Sequence, residues 1–504
     1  MMTNGWTGKR LRIDLTLQKA WPEDIDLEDR RQLFGGRGLN ASYFSRHFRS
    51  PVSPSSPENP IAFAAGPLAG TLAPCSGWTS MASFSPLCNP SAYAFTRMPG
   101  NFGASLKGTG FDQYILSGKA DRPVYLWIDG AKVKFEEAGH LWGKETIETT
   151  VAIQEEKGDR SIEVLCIGPA GEKQHPLANV IHRLSWTGDH LGLGYLFGVK
   201  QLKAIAIRGA KPVTFHDPKR FLNLCLNLRN RIQKAQKTRK AKETGAFGFL
   251  VREGGTTIRK GNTGYLARSE DQWTNSMKTY LSGQETCFAC PVHCGRSIHY
   301  QESVLGGIHL EKAWQLGPRI GVYNGECTLK LYHLCQTQGL DPFLTGSLLA
   351  AIIEGDKTGL FAEEDLKQFE TIWDRGEKAF AILHQIMKGS KNGFRLPVPP
   401  VSSNEDLDVL ADIIPFCTIV VNRLNLMTVT NIIDLIDAAT GYAMSKEDLQ
   451  DIIRKILQME SVLQNKGGYW TDQSSLPHTE EGQISDIPRR EEPRHESIVY
   501  RTTS

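Results

Sequence analysis

The sequence contains no apolar run approaching the roughly 18–20 residues that a bilayer span requires. Its polar start, Met-Met-Thr-Asn-Gly-Trp-Thr-Gly-Lys-Arg, has no apolar stretch of the secretory-signal kind. A cytoplasmic protein with no membrane span is therefore expected. An excess of charge is also missing, because 58 Lys and Arg stand against 55 Asp and Glu, a formal net charge of +3. That near balance gives no electrostatic case for nucleic acid as a partner. Cysteine is scarce. Ten cysteines in 504 residues are too few for a disulfide-built scaffold, which points to reducing conditions. No internal repeat is present. What the chain does have is 40% hydrophobic residues, ample for two or three packed domains.

From about residue 8 to residue 210, short alternating or β-branched runs separated by Gly, Pro and Asn predict strands at 11–15, 61–64, 124–128, 164–167 and 204–207. After residue 217 the period lengthens, and helices are expected over 219–242, 328–338, 345–354, 363–388 and 446–463. The fold class is α+β, with the strand-rich part first. The prolines of 396–404, Leu-Pro-Val-Pro-Pro-Val-Ser-Ser-Asn, remove the amide hydrogens a helix needs, so an extended link and a domain boundary are expected there. Beyond residue 471 the chain is polar and nearly free of large apolar residues, the composition of a poorly ordered tail.

The densest chemical signal is Cys-Phe-Ala-Cys-Pro-Val-His-Cys, which places Cys287, Cys290 and Cys294 on one short loop. Turns of this length let neighbouring sulfurs converge on one iron–sulfur cube, each thiolate on a different iron, while Pro291 stiffens the loop. A fourth ligand is then required. The same spacing suits zinc with His293 or His299 as a further donor, so both readings stand at this point. Cys75, Cys88, Cys166, Cys225, Cys327 and Cys335 are scattered and read as buried thiols. A basic run, Arg229, Arg231, Lys234, Lys237, Arg239, Lys240 and Lys242, lies on an expected helix. It reads as a solvated face, with docking of an acidic partner as the alternative.

Several motifs occur in a telling order: Asp14-Leu15-Thr16, Phe34-Gly35-Gly36-Arg37-Gly38-Leu39, Gly66-Pro67-Leu68-Ala69-Gly70-Thr71 and Phe102-Gly103-Ala104-Ser105-Leu106-Lys107. Ile167-Gly168-Pro169-Ala170-Gly171-Glu172, the 198–205 stretch Gly-Val-Lys-Gln-Leu-Lys-Ala-Ile and the cysteine loop follow. In this order the chain resembles the aldehyde:ferredoxin oxidoreductase family from about residue 10 to Pro477. The resemblance implies a strand-rich N-terminal domain over 1–210 that carries a tungsten or molybdenum ion on two pyranopterins, with magnesium as an accompanying ion. It further implies a helical domain with the cysteine loop over 211–395 and a shortened helical domain over 396–477, followed by the polar tail 478–504. A [4Fe-4S] cluster is implied on Cys287, Cys290, Cys294 and Cys417, the last ending a motif that reads Asp412-Ile413-Ile414-Pro415-Phe416-Cys417 here. The activity implied is oxidation of a small aldehyde to a carboxylic acid, with electrons leaving singly through the cluster to ferredoxin. An oligomer or complex subunit in anaerobic metabolism is the matching expectation. The implied cofactor contacts are Trp78, Arg97, Gly192, Gly194, Gly339, Leu340, Asp341 and Asp412. Glycine turns such as Leu191-Gly192-Leu193-Gly194 allow backbone amides to approach pterin phosphates.

The same comparison exposes departures. Trp78 stands where the family has an arginine expected to bridge pterin and cluster, and an indole cannot make that charged fork. His190 likewise replaces arginine. The first pterin motif reads Gln336-Thr337-Gln338-Gly339-Leu340-Asp341, without its leading carboxylate, and the second has Pro415 and Phe416 in place of Gly and Leu. The family segment that carries its proposed active-site histidine is missing between Lys388 and Asp412. Glu311 remains as the candidate for acid/base work near the metal, with a helix-starting surface carboxylate as its other reading, and His309 reads as a structural histidine or as a stand-in for the lost one. A second expectation follows from these losses: a non-catalytic or electron-transferring paralogue that keeps the cluster.

Overall fold

In strand β1 (Lys9–Asp14) Leu11 and Ile13 are buried while Arg10, Arg12 and Asp14 are only partly so, the alternation of a half-buried strand. The computed structural model describes residues 4–88, 90–183, 185–244, 266–300, 303–353, 374–388 and 406–465, all within the compact unit Met1–Tyr469. Strand β1 is joined by β2 (Lys19–Asp24), β3 (Ile61–Ala64), β4 (Thr79–Ser85), β5 (Ala92–Met98) and β6 (Gln113–Ser117) in a sheet of order β2-β1-β6-β3-β4-β5. Only β1 and β6 run parallel in it. A second sheet has the order β11-β10-β9-β12-β7-β8, from β7 (Val124–Asp129), β8 (Lys132–Glu137), β9 (Glu163–Cys166), β10 (Ile181–His182), β11 (Trp186–Thr187) and β12 (Leu202–Arg208). Its buried face, including Tyr125, Val164, Ala204 and Ala206, packs with Ile153 of helix Thr146–Glu156. All five expected strands are present, and the strand-rich half comes first.

Helix Gly36–His47 lies against this first sheet, with its residues from Gly36 to Phe44 buried. Its start is set by close backbone packing. Gly36 has φ +44, and a Cβ there would lie 2.1 Å from the Asp412 carbonyl oxygen, so a side chain is excluded both by conformation and by space. The N-terminal glycine motif is thus the seat on which the late Asp412–Cys417 segment rests.

Beyond residue 217 the described chain is mainly helical: Pro218–Lys234, Gln236–Thr244, Leu266–Lys278, Gly325–Gln338, Pro342–Ile353, Arg375–Lys388, Asp406–Ile413, Val429–Thr440 and Lys446–Asn465. Trp273, Trp314, Tyr332, Leu348 and Ile382 belong to its core. The helix expected over 219–242 is divided at Ala235, whose extended ψ of 137° ends the first piece. One part departs from the helical expectation. Strands β13 (Leu281–Glu285), β14 (Gly295–Tyr300) and β15 (Ser303–Ile308) form an antiparallel sheet. These strands are short and rich in Gly, Ser and Gln, so their period is weak. Pairing with neighbours, rather than local propensity, determines them. The expected link at 396–404, the tail beyond 471 and the 363–373 part of an expected helix lie outside the described residues. No helix among the described residues is long and apolar enough to cross a membrane.

Candidate functional site

The cysteine loop is the connection of a β-hairpin. Glu285 at the end of β13 pairs with Gly295 at the start of β14, and Cys287, Cys290 and Cys294 lie between them. The Thr286 hydroxyl donates to the Cys290 carbonyl at 2.9 Å, and the Cys290 amide donates to the Cys287 carbonyl at 3.1 Å, which curls the loop. The Phe288 amide donates to Gly100 in the N-terminal half at 3.1 Å, fixing the loop against the sheet region. Cys417 reaches the same place from the far end of the chain, and its amide donates to the Cys75 carbonyl at 3.1 Å. Cys287, Cys290 and Cys417 are buried, and Cys294 is partly exposed.

The thiols lie close enough to act on one another's ionisation. Burial, then the fields of Cys290, Cys294 and Cys417, push the Cys287 thiol well above its usual range. Cys294 is raised by burial and by Cys290 and Cys417. Burial and Cys290 push Cys417 up to about 12. Cys290 moves the other way, to about 7, because it accepts a hydrogen bond from Cys75 and further bonds from the backbone of Val292 and His293. Among the described residues no three His, Cys, Asp or Glu side chains converge as a single ion requires. A cube with one thiolate per iron has no such requirement. His293 is held below its usual range by burial and by the charges of Lys242, Arg229 and Arg296. His299 is exposed near the far end of β14.

A charged relay adjoins Cys417. Arg97 on β5 donates to Asp412 at 2.8 Å and stands 5.7 Å from the centre of the Trp78 ring. Asp412 is also 3.3 Å from Arg37, a fully buried side chain that forks onto Glu460 at 2.9 and 2.6 Å and stacks on Phe95 at 3.7 Å. The Trp78 indole nitrogen is buried and has no hydrogen-bond partner among the described residues.

Residues 339–341 assemble separately. Gly339, at φ +72, ends helix Gly325–Gln338, Leu340 bridges to Ala178, and the Asp341 amide donates to the Leu177 carbonyl at 2.8 Å. Asp341 accepts from the amides of Phe343 and Leu344 at 2.9 and 3.0 Å, capping the next helix, and from the His190 amide at 2.7 Å. Burial and the neighbouring Asp189 raise its carboxyl. A Cβ on Gly194 would meet the Asn179 nitrogen at 2.5 Å, and one on Gly192 would meet Pro86 at 2.6 Å, so the chain itself occupies the space beside both glycines.

Glu311 lies in the first turn of helix Leu310–Gln315, with its side chain partly exposed and 3.9 Å from His309 Nδ1. The His309 imidazole is held to about 4 by burial, reinforced by Lys312. Buried Lys312 pairs with Asp189 at 2.7 Å. Trp186 links this group to the cysteine loop: its ring lies 6.1 Å from His309 and against Gly295.

Two family models match this chain. "Aldehyde ferredoxin oxidoreductase, N-terminal domain" covers residues 10–209, and "Aldehyde ferredoxin oxidoreductase, domains 2 & 3" covers residues 223–396. The chain belongs to the aldehyde ferredoxin oxidoreductase family. It is 35% identical to a tungsten-containing aldehyde ferredoxin oxidoreductase of Pyrococcus abyssi over 372 residues, 72% of this chain and 60% of that one. To the Pyrococcus furiosus enzyme of the same description it is 31% identical over 78% of this chain and 66% of that one. To an "Aliphatic sulfonate oxidoreductase, WOR-like subunit" of Pyrococcus furiosus it is 28% identical over 76% and 64%. The chain therefore spans about 60% of the length of the first of these curated relatives. The fold is shared with the active site complex BamBC of benzoyl coenzyme A reductase in complex with 1,5-dienoyl-CoA, at a TM-score of 0.76 and 20% identity over 93% of this chain and 90% of that chain.

For this member of the aldehyde ferredoxin oxidoreductase family, the expected site residues fall into distinct groups. Cys287, Cys290, Cys294 and Cys417 come together, with Trp78, Arg97 and Asp412 beside them. Gly192, Gly194, Gly339, Leu340 and Asp341 form a second group. Sequence reasoning missed Cys75, which was read as an unrelated buried thiol: its sulfur lies 3.6 Å from Cys290 Sγ. The available signal was its place in Cys75-Ser76-Gly77-Trp78, beside a position already marked. Arg37, Glu460 and Lys312 were also missed as members of these networks.

Proposed function

We propose that this chain is an oxidoreductase in which Cys287, Cys290, Cys294 and Cys417 hold a [4Fe-4S] cluster. In this reading the cluster relays electrons from a tungsten (or molybdenum) bis-pyranopterin to an external carrier such as ferredoxin. The observation that carries the reading is the convergence of four thiols from two distant segments, with the Arg97 cation near Cys417. Four buried thiolates repel one another, and a cationic iron–sulfur core is the group that makes their ionisation favourable. Arg97 also delivers, from the neighbouring strand, the positive charge lost where Trp78 replaces arginine.

The pterin metal, when bound, supplies the two-electron step by which an aldehyde and water become a carboxylic acid, two protons and two electrons. This chain's own contribution is to position and to move protons. In this reading Glu311, at the start of helix Leu310–Gln315 and 3.9 Å from the neutral His309 ring, is the residue assigned to take a proton from the reacting water. The buried nitrogen of Trp78 and Nδ1 of His190, neither with a hydrogen-bond partner among the described residues, suit polar edges of a cofactor. The carrier's approach is at His293 and Cys294, the least buried edge of the thiol set, where Arg229 and Lys242 add positive charge.

One observation favours a second reading, an electron-transfer subunit that keeps the cluster without the pterin. Asp341 and Asp412, the carboxylates that the family resemblance assigns to pterin, are both engaged by this chain's own groups. Elemental analysis of protein purified without oxygen separates the two. About four irons with one tungsten or molybdenum supports the first, and an aldehyde screen with a viologen acceptor follows. Four irons alone supports the second. Zinc without iron overturns both.

A further inference from the structure

We propose that Cys75 is a fifth thiol of the cluster site, a positioning residue whose S–H donates to the Cys290 sulfur and makes the bound cluster easier to reduce. The inference rests on the cluster reading above and goes beyond its four ligands.

Cys75 Sγ lies 3.6 Å from Cys290 Sγ, within the range of a sulfur–sulfur hydrogen bond, and the residue is buried. Its backbone ties the two ligand-bearing segments together. The Cys75 amide donates to the Ala289 carbonyl at 3.3 Å, inside the cysteine loop, and its carbonyl accepts from the Cys417 amide at 3.1 Å. The side chain is therefore held at the seam between the hairpin ligands and the late ligand. Cys75 also has φ +65, a left-handed conformation that is strained for a residue with a Cβ. The packing holds it there: a Cβ on neighbouring Gly77 would lie 2.7 Å from Phe288 Cβ, so the segment is pressed against the loop.

A four-iron cube takes four thiolates, so one of five converging sulfurs is left over. In the cluster reading above Cys75 is that one, lying outside the two proposed ligand segments and contributing backbone bonds to both. The contact to Cys290 runs from Cys75 Sγ as donor, so an S–H is what this residue offers to the ligand sulfur. A hydrogen bond to a ligand sulfur draws negative charge away from the cluster and favours the form with one added electron. No bond is made or broken. The cluster takes up one electron from the reductant and the proton stays on Cys75.

The test uses the full chain, prepared without oxygen, with iron and sulfide assayed before each measurement. The midpoint potential is then followed by electron paramagnetic resonance in a dithionite titration. Cys75→Ala is expected to keep about four irons per chain and to shift the potential to more negative values. Cys75→Ser, which retains a donor, is expected to fall between it and the wild type. Equal potentials in iron-loaded wild type and Cys75→Ala would overturn the proposal. So would loss of the cluster from Cys75→Ala together with its retention in Cys417→Ala, which would make Cys75 a ligand. A second measurement does not require the alanine variant to fold. The Raman difference between wild type and Cys75→Ser should contain an S–H stretching band shifted down by hydrogen bonding, and its appearance at the position of a free thiol would overturn the proposal. A wild-type chain that binds no iron at all would instead reject the cluster reading.

Discussion

The Arg97 guanidinium donates to the Asp412 carboxylate at 2.8 Å, joining the edge strand of the first sheet to the segment that ends in Cys417. Asp412 is shared with Arg37, so one buried carboxylate serves two cations. Asp412→Ala should cost on the order of 1–3 kcal/mol, the scale of lost charge-assisted hydrogen bonds, because Arg37 keeps Glu460 and partly exposed Arg97 keeps Asp408 at 3.9 Å. Asp412→Asn, whose amide oxygen still accepts, should cost less. Urea denaturation measures both, and an unchanged midpoint for the alanine variant would remove the relay as a stabilising element.

Cys417→Ala should lower the iron content of anaerobically purified protein and its visible absorbance. Cys335→Ala, a buried thiol in the core of the helical region, should leave both unchanged. The pair of variants separates ligand loss from the general effect of removing a buried sulfur.

Glu311→Gln should reduce aldehyde-dependent viologen reduction by on the order of 100-fold, the scale of a lost proton-transfer group. Its metal content should equal that of the wild type. Equal turnover would return Glu311 to the role of a helix-starting carboxylate.

Acid should weaken the fold in two windows. His175 and His309 are held to about 4, chiefly by burial, against an ordinary value near 6.5. The unfolded chain therefore protonates first, and the stability these neutral rings contribute is complete above about 6.5 and lost as pH falls towards 4. Burial opposes ionisation of Glu163, yet His182 and Arg183 overcome it and bring the carboxyl to about 2. Its contribution is present above the unfolded value of roughly 4.3 and lost as pH falls through about 2. Urea midpoints measured against pH should show both slopes. His175→Gln should flatten the upper one and Glu163→Gln the lower.

How much could be read in advance varied with the range of the interaction. The strands at 61–64 and 204–207 were evident because a run of buried apolar residues is a local signal. The three loop cysteines were evident because their spacing is itself the chemistry. Strands β13 to β15 were not, since Leu-Ser-Gly-Gln-Glu has no strand pattern of its own and is ordered by its pairing. Cys75 carries one local hint, its place beside Trp78, and its meeting with the ligand segments is long-range. Nothing near it in sequence shows that Ala289 and Cys417 meet its backbone on opposite sides. Glycine positions invite a ligand reading from sequence, yet Gly192 and Gly194 lie against Pro86 and Asn179 of the same chain.

The hairpin origin of three ligands sets a timetable for maturation. Cys287, Cys290 and Cys294 leave the ribosome together on a short unit that folds by local pairing. Cys417 follows only after the intervening helices have been synthesised, and it reaches the site by resting on glycines made near the start of the chain. Until then the hairpin offers only an open-sided receptor to a delivery factor. Closure waits for the segment that carries Cys417, which makes iron retention a readout of whether that segment has reached its glycine seat.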